Sequence, residues 1–84
     1  MGRSKRIIPV KLGQKLRAIR EHLGLTGEQL IARLDCPSVP LDTGVITKFE
    51  KGLRDPSSIV LLHYSKLADV SINVLVDDEV DLPF

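Results

Sequence analysis

The segment from position 42 to position 56, DTGVITKFEKGLRDP, constrains the fold of this chain more than any other stretch. Ile46 and Phe49 are three positions apart, so both fall on one face of a short helix and can anchor that helix to a core. Gly52 suits the left-handed position just past a helix end, where a Cβ would be strained. Pro56 then indicates a loop that leads into the cap of another helix. The segment therefore predicts a short, anchored helix that ends at a glycine.

Apolar periodicity predicts two helices before this segment. The first opens at Pro9 and ends at Gly24. Its apolar stripe consists of Leu12, Leu16, Ile19 and Leu23, and the rest of its surface carries Lys11, Lys15 and Arg17. Thr26 caps the second helix, where Gln29 completes a capping box. The buried side of that helix is predicted to consist of Leu30, Ile31 and Leu34. Helix, glycine-containing turn and second helix match a helix-turn-helix in outline.

The remaining chain predicts an irregular connector and three more helices. Residues 35–41, DCPSVPL, contain two prolines and cannot continue a helix. The N-caps predicted for the third, fourth and fifth helices are Asp42 or Thr43, Ser57 or Ser58, and Ser71. The side chains predicted to be buried in the last two helices are Ile59, Leu62, Tyr64, Leu67, Ala68, Ile72, Leu75 and Val76. Five short helices and no convincing strand predict an all-α domain.

Composition narrows the class of protein. A chain of 84 residues makes one domain with a modest core, which must be built from Leu, Ile and Val because the chain has no Trp. No uninterrupted apolar run reaches the roughly 18 residues of a membrane-spanning helix, and the basic N-terminus lacks the apolar stretch of a secretory signal. Cys36, as the one cysteine, cannot form an intramolecular disulfide. A reducing cytoplasm is therefore the expected location.

The net charge is +1, but the charge is distributed unevenly along the chain. The basic residues that precede the first acidic one, Glu21, are Arg3, Lys5, Arg6, Lys11, Lys15, Arg17 and Arg20. The acidic residues near the other end are Asp77, Asp78, Glu79 and Asp81. This asymmetry indicates a basic face for a polyanion and an acidic tail elsewhere. A solvated helix face with a frayed acidic end is an equally good interpretation from charge alone.

No arrangement of residues predicts catalysis or a metal site. His22 and His63 lack the paired ligand spacing of a metal site and are predicted to be surface histidines. Cys36 is interpreted as a single thiol in a loop, with a redox switch as the alternative. The acidic residues of the tail have no loop geometry for a hard cation. We therefore expect no enzyme and no cofactor.

The order of these motifs resembles the Cro/CI-type (XRE-family) helix-turn-helix domain of phage repressors and bacterial regulators. The segments that carry the resemblance are LGQKLRAIREHLGLTGEQLIARL, ITKFEKGLRDPS and YSKLADVSINVLV. They span Leu12 to about Val76, and each motif is weak alone but specific in this order. The resemblance implies an all-α, five-helix lambda-repressor-like domain whose helix-turn-helix is formed by helices 2 and 3. It divides the chain into a basic N-terminal arm (residues 1–8), the helix-turn-helix domain (9–76) and an acidic and apolar tail (77–84).

The resemblance also implies roles for individual residues. Arg20 and Glu50 match an ion pair that ties helix 1 to helix 3. The positions implied to contact DNA bases are Thr43, Gly44, Val45, Thr47 and Lys48. The positions implied to contact the DNA backbone are Arg3, Lys5, Arg6, Gln29, Lys51 and Arg54. Backbone amides at the start of helix 2 would join them.

Three departures from the family pattern affect the expected DNA-binding surface. Gly27 stands where the family usually has a Gln, and Gln29 substitutes for it only in part. The connector around Cys36 to Leu41 is longer than the family's tight turn, so it either repositions helix 3 or makes contacts of its own. Gly44 lies within helix 3, the helix that the resemblance implies contacts DNA bases. There it either permits close approach to DNA or weakens base recognition.

Two functions follow as hypotheses. The first is a sequence-specific, double-stranded-DNA-binding transcriptional regulator that acts as a homodimer by inserting helix 3 into the major groove. Its dimer surface would be built from Val74, Val76, Val80, Leu82 and Phe84. The second is a protein-interaction module, an antitoxin or an adaptor, whose tail docks a protein partner and for which DNA binding is secondary. Neither hypothesis specifies an operator, regulated genes or the sign of regulation.

Overall fold

A computed structural model describes residues 9–84, and within this range it contains five helices and no strand. The helices are α1 (Leu12–His22), α2 (Gly27–Leu34), α3 (Thr43–Glu50), α4 (Ser58–Ala68) and α5 (Ile72–Val76). They follow the predicted order, with α2 and α3 as the helix-turn-helix pair. None of the described helices is long and apolar enough to cross a membrane.

Side-chain caps define where three of the helices begin. The hydroxyl of Thr26 accepts from Gln29 N at 3.2 Å and Gln29 Oε1 accepts from Thr26 N at 2.9 Å, so the predicted capping box is present. Asp42, and not Thr43, caps α3. Ser57, and not Ser58, caps α4. Ser71 precedes α5 as predicted but its side chain makes no capping hydrogen bond.

The first helix starts later than the sequence predicts, and the segment just before it is bonded to a residue from the other end of the chain. It begins at Leu12 instead of Pro9. The carboxylate of Asp78 accepts from Val10 N at 3.0 Å and from Lys11 N at 2.9 Å. These two N–H groups lower the pKa of Asp78 below its ordinary value, because they favour the charged carboxylate. A residue of the tail therefore ties down the backbone that leads into α1, although α1 itself has no side-chain cap.

The core contains the apolar stripes of all five helices, but α4 presents a different face from the one predicted. The largest fully buried side chains include Leu12, Leu16, Ile19, Leu30, Ile46, Tyr64 and Leu75. In α4, Val60 and Leu61 are buried, whereas Ile59 and Leu62 are 46% and 39% exposed. The prediction for Ile59 and Leu62 was wrong because the run Ile59–Leu62 is continuously apolar. Such a run has no periodicity to define a face.

The tail folds back onto α1. Lys15, predicted to be on the surface, is only 6% exposed. Its ammonium group donates to the carbonyl oxygens of Val74, Asp77 and Val80 at 2.7, 2.8 and 2.6 Å. These carbonyls lie at and beyond the C-terminal end of α5, where a helix lacks internal donors and favours a cation. Lys15 was misplaced because sequence periodicity does not identify such distant acceptors.

We expect Lys15→Met to lower the free energy of unfolding by about 2–3 kcal/mol, because it removes charged hydrogen bonds and leaves carbonyl groups unpaired. Urea denaturation measures this loss. Lys66→Met is the matched control, since Lys66 is exposed on α4 and its replacement should cost less than about 1 kcal/mol. Equal losses in the two variants would contradict the assigned role of Lys15.

Candidate nucleic-acid interface

One face of α3 is free of the core and carries small and basic side chains. This reading face consists of Thr43, Gly44, Thr47, Lys48 and Lys51, all of them exposed. The opposite face buries Ile46 and Phe49, as predicted. Val45 is half-buried and packs against the core, so less of its side chain is available than the sequence suggested. The other predicted base-contact residues lie together on the reading face.

The N-terminal end of α3 lies directly against α2. A Cβ placed on Gly27 would be 3.4 Å from Thr43 Cγ2, so the methyl group of Thr43 is directed toward the start of α2. The hydroxyl of Thr47 donates to Thr43 O at 2.9 Å, one turn back along the same helix. The first residues of α2 and α3 are therefore close together. A side chain longer than that of alanine at position 27 would meet Thr43.

The C-terminal end of α3 is held to α1 by the predicted ion pair. Arg20 Nε donates to Glu50 Oε2 at 2.7 Å and a second guanidinium nitrogen donates to Glu50 Oε1 at 3.1 Å. A third bond from Arg20 reaches Leu25 O at 3.1 Å. The hydrogen bond to Glu50 raises the pKa of Arg20 above its ordinary value, although burial opposes the rise. The Glu50 side chain is only 10% exposed, so removing Arg20 would leave a mostly buried carboxylate unpaired.

Gly13 is a second contact between α1 and α3, and sequence reasoning did not single it out. An added Cβ on this buried residue would lie 2.7 Å from Glu50 O and 2.9 Å from Phe49 O. Backbone oxygens this close leave no room for any side chain. The available signal was an isolated glycine inside a helical pattern, which often marks a close backbone approach.

Tyr64 lies beneath this junction. It is fully buried, and its hydroxyl has no hydrogen-bond partner among the described residues. Burial raises the pKa of the phenol, and the nearby charge of Glu50 raises it further, while Arg20 acts in the opposite direction. The charges of the ion pair therefore act on the ionisation of Tyr64, in opposite directions.

The residues predicted to contact the DNA backbone differ in exposure and in whether their polar atoms are already hydrogen-bonded. Lys51 and Arg54 are exposed, and the Arg54 guanidinium lies 6.0 Å from the Phe49 ring centroid. Gln29 is exposed, but its carbonyl oxygen is already engaged in the capping box. The arm residues Arg3, Lys5 and Arg6 lie outside the described residues.

The long connector between α2 and α3 is anchored by its apolar residues. Cys36 is buried, and Val39 and Leu41 pack against the core. Asp35, at the end of α2, has the left-handed conformation with φ 47°. The connector and α2 line an open surface pocket of about 280 Å³. The connector therefore packs against the core of the domain, in addition to any contact it makes with DNA or a partner.

The histidines take part in packing. His63, predicted to be a surface residue, is half-buried, and its Nδ1 lies 2.8 Å from Leu34 O, the last carbonyl of α2. His22 is exposed and stacks on Phe84 with ring centroids 4.0 Å apart. Residues 9–84 contain no group of three or more His, Cys, Asp or Glu side chains that could hold a metal ion.

The chain itself partly covers the predicted dimer surface. Val74, Val80 and Leu82 are half-buried, and Leu82 packs against the core. Val76 and Phe84 remain 37% and 45% exposed. A surface for a second copy would therefore centre on these two side chains more than on the whole tail.

The chain is similar to a solved structure of known role. It is the high-resolution crystal structure of the restriction-modification controller protein C.AhdI from Aeromonas hydrophila, which is 30% identical in sequence. The match covers 79% of this chain and 92% of that chain, with a TM-score of 0.64. No protein-family model matches the chain, and no curated protein matches it. The likeness confirms the lambda-repressor-like fold and indicates a DNA-binding regulator.

We expect Gly13→Ala to lower the free energy of unfolding by about 1–3 kcal/mol, because its Cβ would displace the end of α3 from α1. Chemical denaturation measures the loss. Gly27→Ala is the control, since its Cβ would make only ordinary contact with Thr43 and should cost less than about 0.5 kcal/mol. A Gly13→Ala chain as stable as wild type would show that the junction tolerates a side chain.

We expect Tyr64→Phe to remove a loss of stability in alkaline solution. The unfolded phenol ionises near its ordinary pKa of 10.0, whereas the folded one stays protonated to higher pH because its pKa is raised. The contribution of Tyr64 is therefore fully present below pH 10 and is lost above it, by about 1.4 kcal/mol per pH unit. Urea unfolding of both chains on either side of that pH measures the difference. If the free energies of unfolding of the two chains changed in parallel with pH, the assigned role of Tyr64 would be contradicted.

Proposed function

Because the chain belongs to the Cro/CI-type helix-turn-helix family, we propose that it is a transcriptional regulator that reads a specific sequence in double-stranded DNA as a homodimer. In this proposal α3 enters the major groove and the bound protein controls transcription by occupying a promoter. The similarity to C.AhdI, a restriction-modification controller protein, supports a regulatory role.

The observation that carries this proposal is the reading face of α3 on a helix held at both ends. Its N-terminal end is capped by Asp42 beside the start of α2, and its C-terminal end lies against Gly13 and is bonded to Arg20. Side chains that read base edges need a backbone whose position is fixed, because hydrogen-bond geometry tolerates little displacement. Small side chains on that face let the backbone approach the groove closely.

The exposed cations of this region suit distinct roles in the proposed complex. Lys48 lies on the reading face, where its ammonium group would donate to guanine O6 or N7. Lys51 and Arg54 follow at the end of α3, where they would contact phosphates and fix the register. Backbone N–H groups of the first turn of α2 would bind a further phosphate, since Gly27 has no side chain to cover them.

A homodimer through Val76 and Phe84 would place two reading helices on one face of the duplex. An isologous contact uses the same patch on both copies. Two half-sites are then expected about 34–36 Å apart on a pseudo-palindromic operator.

A protein-interaction module, an antitoxin or an adaptor, is the alternative function. The feature that favours it is the acidic tail, which lies against α1 with Phe84 still exposed. In that role the tail and Val76 would bind a protein partner, and the reading face would contribute little.

Selection of bound duplexes from a randomised pool, at several salt concentrations, tests the proposal. A pseudo-palindromic motif with the expected half-site spacing would support a dimeric reader. Salt-sensitive binding without an enriched motif would show that the protein contacts phosphates but does not recognise a specific sequence. Failure to bind at moderate salt would favour the interaction module.

Single substitutions separate base reading from phosphate binding. We expect Lys48→Ala to weaken binding to the selected site by about 1–3 kcal/mol, with less effect on random DNA. Arg54→Ala should instead weaken binding to all sequences and reduce the salt slope by about one. Lys66→Ala, on the exposed surface of α4, is the control and should leave affinity unchanged. Unchanged affinity in both test variants would show that the reading face is misassigned.

A further inference from the structure

Asp42 is a charged side chain at the N-terminal tip of the reading helix. It is the N-cap of α3 and is exposed. Its Oδ1 accepts a hydrogen bond from Val45 N at 2.8 Å. That bond fixes the orientation of the carboxylate, and no described residue bonds its second oxygen, Oδ2. Asp42 therefore presents a positioned, unused acceptor beside the reading face.

The neighbours of Asp42 leave this carboxylate uncovered. Thr43 directs its methyl group toward Gly27, and Val45 is half-buried. Gly44 has no side chain, and a Cβ added there would lie 3.2 Å from Asp42 Oδ1, closer than ordinary contact. Glycine at position 44 thus leaves the capping carboxylate its space. Among residues 42–45, Asp42 is the one that carries a charge.

A carboxylate in the major groove is repelled by phosphates and by base acceptors, so it fits only a base edge that presents a donor. Guanine presents O6 and N7, thymine presents O4, and adenine presents N7 beside its amino group. Cytosine presents its N4 amino group, and Asp and Glu are the side chains that accept from it. Cytosine is therefore the base whose own major-groove edge offers the charge of Asp42 a donor and no acceptor.

We propose that Asp42 is a specificity-determining residue whose Oδ2 accepts from the N4 amino group of one cytosine in each half-site. The inference rests on the proposed function, and it assigns one base of the operator. The N-cap bond to Val45 N positions Oδ2 before DNA binds, so little side-chain freedom is lost in the contact. The charge rejects other bases at this position while lowering affinity for DNA in general.

The capping bond makes the effect of an amide predictable. In Asp42→Asn the amide oxygen stays on Val45 N, because only that atom can accept, and the NH₂ group takes the outward position of Oδ2. An acceptor is thereby replaced by a donor. The preferred base should change from cytosine to one that presents an acceptor, which is guanine, thymine or adenine. Asp42→Ser keeps a good cap but is too short to reach the base.

The experiment is duplex selection with the full chain as wild type, Asp42→Asn and Asp42→Ser, with thermal melts to show that each variant folds. Wild type should enrich cytosine at one position of each half-site, Asp42→Asn should enrich a base that presents an acceptor there, and Asp42→Ser should show no preference. The remaining positions should be unchanged. Replacing that cytosine by guanine should weaken wild-type binding by at least about fivefold and leave Asp42→Ser binding unaffected.

Asp35→Asn is the matched control. Asp35 is exposed at the start of the same connector, and its left-handed backbone tolerates Asn. This variant removes the same charge and should keep the wild-type motif. If both Asp42 variants kept that motif and bound every sequence more tightly, Asp42 would be only a helix cap, and the inference would be overturned with the proposed function intact. A wild-type chain that enriches no motif would overturn both.

Discussion

The contact between α1 and the C-terminal end of α3 is the constraint on which the rest of this structure depends. A helix of eight residues is too short to be stable alone in water, so α3 exists because its apolar face is buried and its ends are fixed. Gly13 allows the last carbonyls of α3 to lie against α1, and Arg20 holds the Glu50 side chain two turns further along the same face. Together these contacts determine how far the reading face projects from the core.

The departures from the family pattern leave the packing of α3 against the core intact. Gly27 removes a polar side chain from the start of α2, and Thr43 lies at a distance where an added Cβ would make ordinary contact with it. The longer connector does not hang free, because Cys36 and its apolar neighbours return it to the core before Asp42 caps α3. A changed helix-turn-helix thus retains a fixed reading helix, with the added length absorbed before its N-cap.

Sequence reasoning predicted what local chemistry determines and missed what distant contacts determine. The capping box at Thr26 and the buried pair Ile46 and Phe49 follow from spacing alone, and the structure contains them. The Arg20–Glu50 pair required the family resemblance, because its partners are far apart in sequence. Lys15 was misplaced for the same reason, without a resemblance to correct it. The buried face of α4 could not be chosen because an apolar run has no period.

The folded tail changes where the positive charge of this chain is available. In sequence the cations of α1 form a basic block, but Lys15 is bonded to carbonyls, Arg17 to Glu21 and Arg20 to Glu50. The exposed cations at the end of the reading helix are Lys48, Lys51 and Arg54. Non-specific affinity for DNA grows with the number of phosphates neutralised, so the pairing of Lys15 and Arg20 lowers the number of α1 cations that are free to contribute to it.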